Sequence, residues 1–83
     1  MSPVAAPRSV RHLAYGRALR QLRSERHLSQ EALAHLADLD RTYVSGIERG
    51  ERNPSLENIL RLADALEIKV SELARLAETL LEA

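Results

Sequence analysis

Residues 29 to 50 hold the tightest constraint on this chain. SQEALAHLA has the form of a short helix. Ser29 is a good N-cap, Glu31 suits the first turn, and Leu33, Ala34 and Ala37 make an inward stripe that ends near Ala37. Asp40 is again a good N-cap, and the helix it opens runs to Gly50, a good C-cap. Only Asp38 and Leu39 stand between the two helices. A turn that short joins helices at a steep angle, so the chain must fold around this corner, a helix-turn-helix unit.

The rest of the chain reads as helix too. The first helix is expected from about Ser9 to Arg26, with Leu13, Leu19 and Leu22 inward and arginines along much of the remainder. Ser9 can cap it, although Arg11 in the first turn opposes the helix dipole. Gly50 to Pro54 is a loop, punctuated by Gly, Asn and Pro. Ser55 caps a fourth helix whose stripe is Leu56, Ile59, Leu60, Ala63 and Leu66. Ser71 is expected to cap a fifth, with Leu73, Leu76, Ala77 and Leu80 on one stripe. No β-hairpin signal interrupts the series. Residues 1 to 8, with two prolines and no periodicity, read as a flexible arm. Residues 9 to 83 read as one compact all-α domain of five helices.

Composition narrows the chemistry. A chain of 83 residues buries a limited core, so oligomerisation is expected. With no Trp, Phe or Cys, that core is aliphatic, and disulfides and thiolate metal sites are excluded. The absence of cysteine suits a reducing cytoplasm. No apolar run approaches a membrane span, and MSPVAAPRSV lacks the long apolar segment of a signal peptide. His12, His27 and His35 lack zinc-like spacing, and no nucleophile–base pair, glycine-rich phosphate loop or carboxylate dyad stands out. Neither an enzyme nor a bound metal or cofactor is expected, nor a small-molecule ligand.

Charge is zero overall but unevenly placed. Residues 1 to 53 carry nine Arg against six Asp and Glu, and residues 54 to 83 carry three cations against six. Eleven of the twelve cations are Arg, the side chain suited to bidentate contact with phosphate or guanine.

The third helix shows where such contacts would be made. At 100° per residue, Val44 and Ile47 fall about 60° apart and mark the buried side. The opposite side collects Thr42, Ser45, Gly46 and Arg49, with Arg41 and Tyr43 at its edges. That strip fits a DNA major groove. Arg41 can bond O6 and N7 of a guanine, Thr42 can bond a base edge or touch a thymine methyl, and Ser45 can bond a base or phosphate. Gly46, costing roughly 1 kcal/mol relative to alanine inside a helix, would be kept because the helix presses closest to DNA there. Arg49 would meet a phosphate, and Tyr43 would either flank the core or lie along the backbone. Gln30, at the positive end of the second helix, could bond a phosphate and brace the third.

The segment from Leu28 to Leu66, with SQEALA, TYVSGIERG and NPSLENILRLADAL in fixed register, resembles the Cro/C1 (XRE) type of helix-turn-helix domain. With the first helix the resemblance covers about residues 10 to 70. LDRTYVSGIERG is most similar to controller proteins of restriction–modification systems. The resemblance implies a lambda-repressor-like fold whose third helix reads double-stranded DNA. It puts base reading on Arg41, Thr42 and Ser45 or Gly46, and backbone contact on Gln30, Tyr43 and Arg49. It also pairs Arg23 with Glu48 as a structural ion pair, with Arg23 open to a phosphate as well. Asp38 departs from the family, which most often has Gly at that turn; Asp tolerates a left-handed backbone better than most residues.

Leu76, Leu80 and Leu81 look surplus to a four-helix core and suggest a homodimer interface, which would select a near-palindromic operator. Leu36 lies off its stripe and is given no role. The expected function is transcriptional regulation by sequence-specific DNA binding. An antitoxin-type autorepressor and a protein-binding adaptor on the same fold are the alternatives.

Overall fold

The computed structural model describes residues 8 to 82, so the expected arm lies outside the described residues except for Arg8, which is helical. Five helices follow in order: α1 Arg8–Glu25, α2 Gln30–Ala37, α3 Arg41–Glu48, α4 Leu56–Leu66 and α5 Val70–Glu82. No strand occurs among the described residues.

The helices begin and end on local chemistry. Ser29 Oγ accepts from Ala32 N at 3.0 Å and Ser55 Oγ from Asn58 N at 3.2 Å, capping α2 and α4. Four helices end alike. A residue just past each end takes a left-handed backbone, and the amide after it reaches back five residues. These residues are His27 (φ 57°), Asp38 (φ 58°), Gly50 (φ 78°) and Glu67 (φ 58°). The closing bonds are Leu28 N to Arg23 O, Leu39 N to Ala34 O, Glu51 N to Gly46 O and Ile68 N to Ala63 O, at 2.8 to 3.2 Å. Ser71 does not cap α5, which begins one residue earlier. Glu72 closes that end from inside: Lys69 N donates to its Oε1 at 3.3 Å, while Glu72 N donates to Lys69 O.

Ala18, Leu19, Leu33, Ala34, Ala37, Val44, Ile47, Leu62, Leu66, Leu73 and Ala77 form one aliphatic core. α5 lies along α1, α2 packs on both α3 and α4, and α1 crosses α3. That crossing is close because of Gly16: a Cβ there would stand 2.6 Å from Glu48 O and nearer still to Ile47 O. Gly50 meets α1 in the same way, its virtual Cβ 3.0 Å from Leu13 backbone atoms.

Three inward assignments fail. Leu13 is exposed, whereas Ala14 and Ala18 of α1 are buried. On α4, Leu56 is 73% and Leu60 41% exposed, whereas Leu62 is fully buried. Ile59, Leu62, Ala63 and Leu66 fall within an arc of about 100°, and Leu56 and Leu60 lie beyond its edge. Leu76 and Leu80 are not surplus either: both are half-buried against the core, and only Leu81 of that trio is exposed.

Candidate nucleic-acid interface

The interface is built outward from one buried carboxylate. Glu48 ends α3 on its inward side, and its side chain is 2% exposed. Arg23 of α1 meets it with two parallel bonds, Nε to Oε2 at 2.6 Å and Nη2 to Oε1 at 2.9 Å. Gln30 Nε2 adds a third at 2.9 Å to Oε1. Arg23 Nη1 also donates to Leu28 O at 2.8 Å, in the connection between α1 and α2. The bonds to Glu48 hold the Arg23 pKa above its ordinary value, although burial acts against them. Fork-to-fork geometry fixes direction as well as charge. The set therefore orients α3 against α1 and α2. Gln30 uses its amide nitrogen inward here, bracing α3, and Arg23 is turned inward along most of its fork.

The opposite side of α3 faces outward with Arg41, Thr42, Ser45 and Arg49. Arg41 is exposed and makes no hydrogen bond or ion pair to another described residue. Thr42 Oγ1 donates to Asp40 Oδ2 at 2.6 Å, so Asp40, at the N-cap position, holds this hydroxyl instead of a backbone amide. Arg49 Nη1 donates to Ser45 Oγ, and Nη2 pairs with Glu51 Oε1 at 3.1 Å. Tyr43 is half-buried against the core, and its hydroxyl accepts from Asn58 Nδ2 of α4 at 3.0 Å.

Gly46 is placed differently from the sequence expectation. It is buried. The chain returns over it after Gly50, so that a Cβ on Gly46 would stand 2.6 Å from Arg52 Cγ. Gly46 O accepts the amides of Glu51 and Arg52 at 2.9 and 3.2 Å. Gly46 therefore makes room for the Arg52 stem rather than for DNA. Arg52, which the sequence did not single out, carries its guanidinium 5.7 Å from the Tyr43 ring centroid, a cation–π distance. The signal was the pairing of a small helix residue with an Arg six positions on, legible only once the loop is known to fold back.

This arrangement defines a class: a domain whose second corner helix is fixed from behind and presents a short cationic, hydroxyl-bearing face. Residues 19–73 match the helix-turn-helix family model, and the chain belongs to that family, in its XRE type. Within it the relatives include controllers of restriction–modification systems. Control protein C.BamHI from Bacillus amyloliquefaciens is 48% identical over 62 residues, 74% of this chain and 76% of that one. Control protein C.MunI from Mycoplasma sp. is 50% identical over 60 residues, 71% of this chain and 81% of its own. Among solved structures, the restriction–modification controller C.AhdI from Aeromonas hydrophila superposes with a TM-score of 0.74 at 56% identity, covering 75% of this chain and 94% of that protein. The controller C.Esp1396I, solved as a tetramer on its natural 35 base-pair operator, gives a TM-score of 0.81 at 27% identity, covering 88% and 96%.

Proposed function

We propose that this chain is a homodimeric, sequence-specific regulator of transcription, a controller of the restriction–modification kind, acting in the cytoplasm and not an enzyme. The observation that carries the reading is the outward face of α3, Arg41, Thr42, Ser45 and Arg49, held from behind by Arg23, Glu48 and Gln30. A face this rigid and this cationic suits a major groove. Arg41 reads a guanine, Thr42 and Ser45 read neighbouring base edges, and Arg49 meets phosphate. Arg52, stacked on Tyr43, supplies a further cation beside them. Gln30 and Arg23 act by positioning α3, with Arg23 at most grazing the backbone.

The second copy covers an apolar flank that keeps Leu81 of the residues the sequence suggested and replaces Leu76 and Leu80. Leu56 and Leu60 lie one turn apart on α4, and Val70 and Leu81 share one flank of α5; all four are exposed. On the other flank of α5, Glu72, Arg75, Leu76 and Thr79 border α1 across a groove with Gln21, Leu22 and Glu25. A two-fold dimer then sets two α3 helices roughly 34–36 Å apart.

Selection of bound duplexes from a random pool at physiological salt tests the reading. Two enriched inverted half-sites about one helical turn apart are expected. A pool with no enrichment would overturn it in favour of a protein-binding adaptor.

A further inference from the structure

We infer that Asp40 is a specificity-positioning residue: by accepting the Thr42 hydrogen bond it leaves that hydroxyl a pure acceptor toward the DNA. The inference rests on the reading of α3 as the base-reading helix. Asp40 sits at the N-cap position but makes no side-chain cap bond. Its Oδ2 instead accepts from Thr42 Oγ1 at 2.6 Å. A hydroxyl has one proton and two lone pairs, and an ionised carboxylate can only accept. The proton of Thr42 is therefore spent within the protein, and what remains for a ligand is lone pairs. Both residues are exposed, so those lone pairs are available outside.

The consequence is a choice of base. In the major groove each pair displays one exocyclic amine and one carbonyl: N6 of adenine against O4 of thymine, N4 of cytosine against O6 of guanine. A freely turning threonine hydroxyl serves either, by donating or accepting. An acceptor-only hydroxyl bonds the amine alone. It selects adenine or cytosine on the strand that Thr42 faces, over the same pair reversed. Ser45 is set the opposite way. Its oxygen accepts from Arg49, so its own proton is still free to donate. The strip thus presents an acceptor at Thr42 and a donor at Ser45, one turn of backbone apart.

The test compares selected sites for wild type, Asp40→Gly, Asp40→Asn and Thr42→Val. Glycine is a tolerated N-cap and lacks any acceptor; asparagine keeps an acceptor oxygen but no charge. Thr42→Val marks the base pair that Thr42 reads. At that pair wild type should prefer the amine-bearing orientation by on the order of tenfold. Asp40→Gly should bring the preference down to within about twofold there and nowhere else. Asp40→Asn should retain it, while both variants bind all sequences more tightly because a negative charge near phosphate is gone. Preference unchanged in Asp40→Gly overturns the inference. So does its loss in both variants, which would make the effect one of charge. A wild type that enriches no sequence sinks the DNA reading itself, a separate failure.

Discussion

Arg41 and Arg49 sit at the two ends of one short face, yet they are engaged differently within the protein. Arg41 has no described partner, whereas Arg49 is already tied to Ser45 and Glu51. Arg41→Ala should therefore cost about 1–3 kcal/mol on the preferred site and relax selectivity at one base pair. Arg49→Ala should weaken all sequences alike and reduce the slope of log affinity against log salt by about one phosphate contact. Titrations of a selected and a scrambled duplex over several salt concentrations separate the two. Gly16 and Gly46 divide in a similar way. Behind Gly16 stand carbonyl oxygens of another helix, which cannot move aside, so Gly16→Ala should destabilise by about 3 kcal/mol or more in urea melts. Behind Gly46 stands only the Arg52 side chain. Gly46→Ala should leave stability within about 1 kcal/mol, since better helix propensity offsets the displaced stem, but weaken DNA binding by unseating Arg52 from Tyr43.

Among the elements, the helix ends differ more in residue type than in geometry. Four of them use a left-handed residue, but only Gly50 is glycine. A side chain in that conformation costs roughly 1–2 kcal/mol, less for Asp than for most. Glu67→Gly should then raise stability by about 1 kcal/mol, and Asp38→Gly by less, measured as a shift in urea midpoint at constant slope. The Arg26–Glu67 ion pair lost with the first is exposed and adds little. These ends also show what the sequence discloses. α2 and α3 were legible because their boundaries reside in single residues, Ser29, Asp38 and Asp40. The start of α5 was misplaced because a good capping residue, Ser71, lies one turn-position inside a helix closed by Glu72 instead. The stripe on α4 misled in another manner. Leucines at Leu56 and Leu60 satisfy helical spacing relative to Ile59 and Ala63, and periodicity alone does not say where a core stops. The outward face of α3 was legible except at Gly46, whose cover comes from a loop that no spacing rule describes.

For the molecule as a whole, those same leucines point to assembly. A domain of this size with an aliphatic core leaves Leu56, Leu60, Val70 and Leu81 in water on α4 and α5. Pairing of two copies through that flank would remove them. Leu60→Glu should yield a folded monomer in sedimentation equilibrium, with an unchanged helical spectrum and operator binding weakened at least tenfold, because each half-site is then bound alone. Leu36→Glu, on α2 across a groove from Arg61 and Asp64, should leave the dimer intact. If both substitutions preserve the dimer, the flank is not its interface.

One carboxylate has a wider reach than its contacts suggest. Glu48 receives donors from α1 and from the first residue of α2, while itself ending α3. An eight-residue helix has no standing of its own in water. Were α1 to open alone, Glu48 would lose Arg23 and be left an unpaired charge in an aliphatic interior, so that opening is steeply uphill. α1 and α3 should consequently melt together. The amide protons of α3 should then exchange with solvent only together with those of α1, although α3 is among the shortest helices in the fold.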